Sequence, residues 1–342
     1  MKAKNNWGER MKKILILSMI ALSLILSGCG KNSADDALKN FTKKTETDSY
    51  KVEGKLELTN NEDTYNYDVT AAYQKEDKYR VSLKNIANNH EQVILRNTDG
   101  VYVLTPSLNK SFKFQSEWPA NSSQIYLLGS IANDLKNDKD KTVSEKDGMF
   151  IYDVKANYPN NSNLVKQKIA IDPNGNIKSV EVVDDNGTRQ MYMVFNNIDY
   201  KAKFDNNYFN LDEIMKNVSV ENEAPSGSLD DIIYPLYLPT GTVLKEQDKV
   251  EKTNGERVIL SFDGEKPFLL VEETANIEDE FTIIPTFGEP HLLVDTVGAL
   301  TDNSLSWTSN GIDYYIVRDV MNKIELLEIA RSISVIPTMS QK

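Results

Sequence analysis

The chain has 342 residues, with 51 acidic and 39 basic side chains and a formal net charge of −12. This acidic balance argues against binding to nucleic acid, or to anionic lipid headgroups, through charge. The length is enough for two domains, and the single cysteine, Cys29, excludes a disulfide within one chain.

The first 28 residues are typical of an export signal. Basic residues at the start are followed by an apolar stretch over residues 14–26, interrupted only by two serines. Thirteen helical residues rise about 20 Å, which is less than a hydrocarbon core of roughly 30 Å. The stretch therefore fits a signal peptide better than a membrane span. Met11 is as good a start residue as Met1, because residues 11–29 already form a complete signal.

The apolar stretch ends in Leu-Ser-Gly-Cys at residues 26–29, which resembles the lipobox of bacterial lipoproteins. The resemblance implies that a diacylglyceryl group is joined to the sulfur of Cys29 and that residues 1–28 are removed. We therefore expect a chain with a net charge of −16, lipid-anchored on the extracytoplasmic face of the cell membrane. Two or three acyl chains anchor a protein stably, whereas one does not. The alternatives are an ordinary signal peptide with an accidental cysteine, or a short core helix.

The exported chain begins with a predicted helix and continues as strands. Ser33 is placed to cap a helix to about residue 45, with Asp36 at the position that favours an acid. Alternation of apolar and polar residues with a period of two then predicts half-buried strands. Asn-Gly and Asp-Gly pairs between several of them favour tight hairpins, so we expect a large antiparallel sheet. The predicted strands are 51–58, 65–73, 79–83, 91–96, 100–104, 111–115, 150–156, 165–171, 177–184 and 190–199.

One helical segment interrupts this series. Ser122 or Ser123 is a candidate N-cap, and apolar residues up to Leu135 recur at spacings of three and four. We expect this helix to cover the apolar face of the sheet, followed by a solvated charged loop over residues 133–141.

Residues 221–231 are polar, contain Pro, Gly and Ser, and predict a linker. The predicted organisation is thus a signal peptide (1–28), a β-rich domain (29–220), this linker, and a small α+β domain (232–342). The second domain is expected to end in a helix of about twelve residues from Asn322, with Glu325 at the capping-box spacing.

Residues 98–128, TDGVYVLTPSLNKSFKFQSEWPANSSQIYLL, resemble the LolA/LolB-like lipoprotein-carrier superfamily, and more closely its sporulation-associated lipoproteins from spore-forming Firmicutes. The likeness covers roughly residues 33–215. It implies a mainly β fold, a curved and incomplete antiparallel β-barrel whose apolar concave face is covered by helices and holds acyl chains. The part after the linker resembles a small domain of unknown function on Firmicute envelope proteins. Transport of lipoproteins to an outer membrane is not implied, because spore-formers mostly lack that membrane.

Aromatic and aliphatic side chains between residues 102 and 131 are candidates for lining a lipid cavity. The alternative is that they are ordinary core beneath the covering helix, and periodicity does not separate the two. The candidates are Tyr102, Phe112, Phe114, Trp118, Tyr126, Leu128 and Ile131.

Catalytic and metal-binding patterns are missing from the sequence. His90 and His291 lie in different predicted domains, beside turn residues and far from any Gly-x-Ser-x-Gly motif, so we interpret both as surface histidines. Clustered His and Cys ligands for zinc are absent. Asp172, Asn174 and Asn176 alternate like the start of a calcium loop, but the glycine is misplaced and position twelve is Val183, which favours a hairpin. Asp134, Asp138 and Asp140 are interpreted as solvated.

The sequence therefore predicts a non-enzymatic, cofactor-free envelope lipoprotein that binds a lipid, an acylated protein or a partner protein in its curved domain. The alternative is a structural or regulatory scaffold whose barrel is filled with side chains. A hydrolase is the third, least supported class.

Overall fold

A computed structural model of the chain describes residues 32–60, 63–120, 122–218, 229, 232–253, 255–276, 280–293 and 295–333. The predicted signal peptide and Cys29 lie outside these residues. Of the predicted linker, only Leu229 is described, and it is buried in the second core described below.

The first part of the chain is a long series of strands with three helices. The helices are α1 (Ala34–Thr45), α2 (Leu128–Asn137) and α3 (Leu211–Val218). The strands are β1 (Ser49–Asn60), β2 (Asp63–Gln74), β3 (Lys78–Asn85), β4 (Glu91–Asn97), β5 (Gly100–Thr105), β6 (Lys110–Phe114), β7 (Thr142–Lys146), β8 (Met149–Lys155), β9 (Leu164–Ile171), β10 (Ile177–Asp184) and β11 (Arg189–Asp199).

Among its described residues, the second part has eight strands and one helix. Its strands are β12 (Thr242–Lys252), β13 (Gly255–Gly264), β14 (Phe268–Thr274), β15 (Thr282–Thr286), β16 (Glu289–Leu292), β17 (Val297–Leu300), β18 (Ser304–Ser309) and β19 (Ile312–Arg318), and α4 (Lys323–Ser332) follows them. Seven of these strands form an antiparallel sheet in the order β12-β13-β14-β19-β18-β17-β16, and α4 packs on β18 and β19.

The larger sheet is open and curved around two helices. Its order is β15-β6-β5-β4-β3-β2-β1-β11-β10-β9-β8-β7, so it does not close into a barrel. Strands near both edges nevertheless share one apolar core with α1 and α2, which requires the sheet to bend around them. Phe41 of α1 and Leu128 and Leu135 of α2 are fully buried there. The expected fold class, an incomplete β-barrel covered by helices, is confirmed.

A separate apolar cluster lies on the outer face of this sheet. Phe209, Leu211, Ile214 and Met215, in and before α3, cover outward-facing residues of β2, β4 and β5. The middle of the sheet is therefore buried on both faces, which explains the continuous apolar runs in β4 and β5.

Local capping signals predicted α1 and α4 correctly. Ser33 Oγ accepts a hydrogen bond from the Asp36 N–H at 3.2 Å, and Asn322 Oδ1 accepts one from the Glu325 N–H at 2.9 Å. The predicted start of α2 is wrong. The helix begins only at Leu128, because Ser123 is engaged elsewhere: its N–H donates to the Asn157 carbonyl at 2.7 Å and its hydroxyl to Asp134 at 2.8 Å.

The predicted charged loop over residues 133–141 is also wrong in part. Its first half continues α2 to Asn137, and β7 begins at Thr142 as an exposed edge strand that the alternation did not reveal. The Asp172 turn is the expected hairpin: Asp172 Oδ1 accepts from the N–H groups of Asn174 and Asn176 at 2.9 and 2.8 Å.

Strand β15 joins the two sheets. It comes from the second part of the chain but pairs in parallel with β6, at the edge of the larger sheet. The chain then turns at Gly288 (φ +99°) and enters β16 of the smaller sheet. A Cβ at Gly288 would lie 2.4 Å from the Leu300 carbonyl oxygen, so only glycine fits the turn. The predicted division into two domains at residues 221–231 stays a prediction. With the exception of β15, the strands before these residues form the larger sheet and the strands after them form the smaller one.

Gln92 of β4 makes a second connection. Its Oε1 accepts a hydrogen bond from the Val297 N–H of β17 at 2.6 Å, and its Nε2 donates to Thr105 Oγ1 at 3.3 Å. The side chain is 4% exposed, so water cannot replace these bonds.

We expect Gln92→Leu to lower the free energy of unfolding by about 1–3 kcal/mol, because a buried N–H loses its acceptor. Urea denaturation measures the change. Gln247→Leu, on the exposed side of β12, is the control and should stay within about 0.5 kcal/mol of the parent. Equal losses in the two variants would contradict a joining role for Gln92.

Candidate functional site

A cavity of about 450 Å³ lies where the two sheets meet. Its lining comes from residues 115–120 and 122–126 between β6 and α2, from the loop 158–161 between β8 and β9, and from residues 289–292 at β16. Arg331 of α4 and the strand residues Ile94, Leu164 and Met191 complete the lining. The cavity is thus built jointly by the first part of the chain, which includes the segment 98–128 that resembles the carrier superfamily, and by the second part.

Hydrogen bonds hold the segment 115–126 in place on the sheet. Arg96 of β4 donates from Nη1 to the carbonyls of Glu117 and Trp118, both at 2.6 Å. The Trp118 N–H donates to Ser116 Oγ at 2.9 Å, and the indole packs edge-on against Tyr79 at 6.0 Å. Trp118 is 4% exposed, so it is a firm wall of the cavity.

Six apolar side chains contribute to the lining of the cavity: Ile94, Trp118, Ile125, Leu164, Met191 and Leu292. Leu164, Met191 and Leu292 also line a smaller cavity of about 30 Å³, together with Leu58 and Leu293. The apolar lining is therefore shared between the two cavities.

Polar groups also line the cavity. Tyr126 donates its hydroxyl to Gln124 Oε1 at 3.0 Å. The Tyr158 hydroxyl and His291 Nε2 are shielded from solvent and have no hydrogen-bond partner among the described residues. Burial raises the pKa of Tyr158, while burial, Arg331 and Lys323 lower the pKa of His291 to about 3. Both side chains are therefore neutral near neutral pH.

Six of the seven predicted cavity residues form three groups in the structure. Trp118 and Tyr126 line the 450 Å³ cavity. Phe112 and Phe114 line a second cavity of about 140 Å³ between the sheets, beside the ion pair of Lys110 and Asp313 at 3.5 Å. Leu128 and Ile131 are filled core under α2.

Tyr102 was placed on the wrong face by the sequence. Successive strand residues point to opposite faces, and in β5 it is Val101 and Val103 that face the helices. Tyr102 packs in the outer cluster under the α3 region, with the Lys113 ammonium 5.4 Å from its ring. The segment's aromatic composition alone did not resolve this alternation.

The sequence missed His291, Tyr158 and Arg331. The interpretation of both histidines as surface residues is wrong, because Nε2 of His90 and of His291 is buried and burial lowers both pKa values. Arg331 lies beside the apolar stripe of the predicted C-terminal helix, where a cation signals contact with a second surface. No other local pattern marks these three residues.

Within the described ranges, no cluster of three His, Cys, Asp or Glu side chains is placed to hold a metal ion. The helices in this part of the chain are all too short or too polar to cross a membrane.

Comparisons with known proteins agree with the sequence resemblance. The profile of the family described as "Sporulation protein YdcC-like" matches residues 10–209. The sporulation protein YdcC of Bacillus subtilis (strain 168) is 36% identical over 327 residues, which cover 94% of this chain and 97% of that protein.

Solved structures are similar only at low scores. The complex of Pseudomonas aeruginosa MucA and MucB has a TM-score of 0.32 at 12% identity, over 86% of this chain and 97% of that one. A LolA superfamily protein of Nitrosomonas europaea has a TM-score of 0.30 at 12% identity, over 53% of this chain and 99% of that one. The fold assignment rests on the strands and helices described above.

We expect the stability of the parent protein to fall as the pH falls from 6.5 towards 3, in part because of His291. In this range the unfolded chain binds a proton on His291 that the folded chain does not bind, so stability present above pH 6.5 is lost.

His291→Gln should lose less stability over the acidic range, as measured by urea denaturation at several pH values. His90→Gln serves for comparison, since burial also lowers its pKa outside this cavity. Parallel pH profiles for the parent and His291→Gln would contradict the burial of His291.

Proposed function

The chain belongs to the sporulation protein YdcC-like family, and from this premise we propose that it is a membrane-tethered envelope lipoprotein that binds an acyl chain in the cavity between its sheets. The cavity carries the proposal. Its volume of about 450 Å³ is within the range of small-molecule sites, roughly 300–1,000 Å³, and such sites combine apolar walls with a few polar groups.

Binding would depend on burial of apolar surface. Each methylene moved out of water contributes about 0.8 kcal/mol, so a fatty chain gains affinity from the wall of Trp118, Ile125, Leu164 and Met191. The chain could be free, part of a membrane lipid, or attached to a protein.

Tethering through a diacylglyceryl group on Cys29 is part of the proposal. Its support is the Leu-Ser-Gly-Cys sequence after an apolar stretch too short to span a bilayer. The anchor would place the cavity near the outer face of the cell membrane, and its own acyl chains would be distinct from the bound ligand.

We propose that the protein has no enzymatic activity. A histidine acts best as a general base when its pKa lies near the operating pH. Burial lowers the pKa of His291 to about 3 and also lowers that of His90, which supports a binding role.

A scaffold function is the second candidate, and one observation favours it. The concave face of the larger sheet is filled by Phe41, Leu128 and Leu135, so the centre of the half-barrel leaves no space for an acyl chain. In addition, Leu269 and Tyr315, 41% and 42% exposed, lie on the uncovered face of the smaller sheet, where a protein could bind.

We expect Ala120→Trp to weaken the binding of a fluorescent acyl probe about tenfold or more, because the new side chain displaces about two methylenes of ligand. Ala120 lines the cavity and is exposed. The matched control is Ala87→Trp, also exposed and outside the cavity.

The measurement uses the exported chain from residue 29 with Cys29→Ser, together with native mass spectrometry for co-purified lipid. Equal probe affinities in the two tryptophan variants, or no probe binding by the parent, would leave the scaffold function as the better explanation.

For the anchor, we expect Cys29→Ala to move the protein from the membrane fraction to the culture fluid, because the acylated thiol is lost. Fractionation of cells expressing the full chain measures this, with Ala120→Trp as a control that keeps its membrane location. Retention of the Cys29→Ala protein in the membrane would exclude lipidation as its only anchor.

A further inference from the structure

The C-terminal helix places a guanidinium at the wall of the cavity. Arg331 lies in the last turn of α4, lines both the 450 Å³ cavity and the smaller one, and is only 19% exposed. Asn60 Nδ2 of β1 donates to the Arg331 carbonyl at 2.9 Å, which holds this turn of the helix against the larger sheet.

This guanidinium is poorly paired for its burial. Among the described residues its one ion pair is with Glu328, with Nη1 3.4 Å from Oε1. Arginine has five N–H donors, and the cost of desolvating its charge is offset only by well-formed bonds to an anion. Burial lowers the pKa of Arg331, which shows the same imbalance.

Uncharged hydrogen-bonding groups also line the cavity. The Tyr158 hydroxyl and His291 Nε2 line the cavity, are shielded from solvent and have no partner among the described residues. Each is able to donate to or accept from a bound headgroup, since both are neutral near neutral pH.

Two cations lie near His291. Arg331 and Lys323 both act on His291, and Lys323 Nζ is 3.2 Å from Asn160 Oδ1 in the cavity wall and 2.9 Å from Asp302. Glu117 and Glu289 also line the cavity, but both are exposed.

We propose that the ligand of this cavity is a single-chain amphiphile with an anionic head, carboxylate or phosphate, that pairs with Arg331 beside His291 and Tyr158. The acyl chain lies along the apolar wall of Trp118, Ile125 and Leu164. This inference rests on the proposed acyl-binding function and deepens it, because it assigns head recognition to the second part of the chain. Glu328 competes with the ligand for Arg331.

The test measures displacement of a fluorescent acyl probe from the exported chain carrying Cys29→Ser. The competitors share one chain length: palmitate, palmitoyl lysophosphatidate and neutral monopalmitoylglycerol. We expect at least one anionic competitor to bind about tenfold tighter than the neutral one, the usual gain from a charge-assisted hydrogen bond. Preference for palmitate indicates a fatty acid, and preference for lysophosphatidate indicates a phospholipid head.

Two variants should move this preference in opposite directions. Arg331→Gln is expected to abolish it while monopalmitoylglycerol still binds, and Glu328→Gln is expected to increase it severalfold by removing the competing carboxylate. Arg257→Gln, on β13 and paired with Glu273, is the matched control and should leave it unchanged. Circular dichroism checks that each variant is folded, and Glu328→Gln keeps the test decisive if Arg331→Gln unfolds.

The possible failures are distinguishable. If none of the three amphiphiles displaces the probe, acyl binding fails and this inference fails with it. If all three bind equally to the parent and to Glu328→Gln, the assignment of an anionic head is wrong while acyl binding stands.

Discussion

The parallel pairing of β15 with β6 is the constraint on which the rest of the structure depends. Five residues from the second part of the chain complete the edge of the larger sheet, and the turn at Gly288 then sends the chain into the smaller sheet. Since a strand pairing fixes register, this contact sets where β16 and its residues His291 and Leu292 lie. Gln92 reinforces the join with buried hydrogen bonds to both sheets.

The cavity follows from this join. The concave face of the half-barrel is packed with side chains from α1 and α2, and the 450 Å³ cavity lies at the seam between the sheets. A seam differs from a closed core because its walls come from separate elements, and one wall can be apolar while the other keeps polar groups. Here Ile94, Leu164 and Met191 of the larger sheet supply half of the apolar lining. Strand β16 and helix α4 supply His291 and Arg331.

This arrangement separates two uses of lipid in the proposed function. The acyl groups on Cys29 would determine where the protein is, whereas the seam cavity would determine what it binds. Arg331 belongs to the helix that covers the smaller sheet, so the second part of the chain would set ligand preference in addition to closing the cavity. Leu269 and Tyr315 lie on β14 and β19, and strands β18 and β17 separate these from the cavity-lining edge strand β16. The exposed surface that they form is therefore distinct from the cavity.

The sequence by itself determined the features that depend on near neighbours. Period-two alternation predicted ten strands of the larger sheet, and the Ser33–Asp36 and Asn322–Glu325 pairs predicted two helix starts, because capping acts over three residues. The Asp172 hairpin and the family resemblance of residues 98–128 were also readable from contiguous residues.

Only the tertiary structure decided the features that join distant residues. Ser123 does not cap α2, because it is hydrogen-bonded to Asn157 of another loop. Tyr102 lies on the outer face because β5 belongs to a part of the sheet that is buried on both sides. The pairing of β15 with β6 places His291 at the cavity. Arg331 is held there by the hydrogen bond from Asn60 to its carbonyl, which joins residues 271 positions apart. No local pattern encodes such a contact, since its free energy arises only when the separated segments have already folded together.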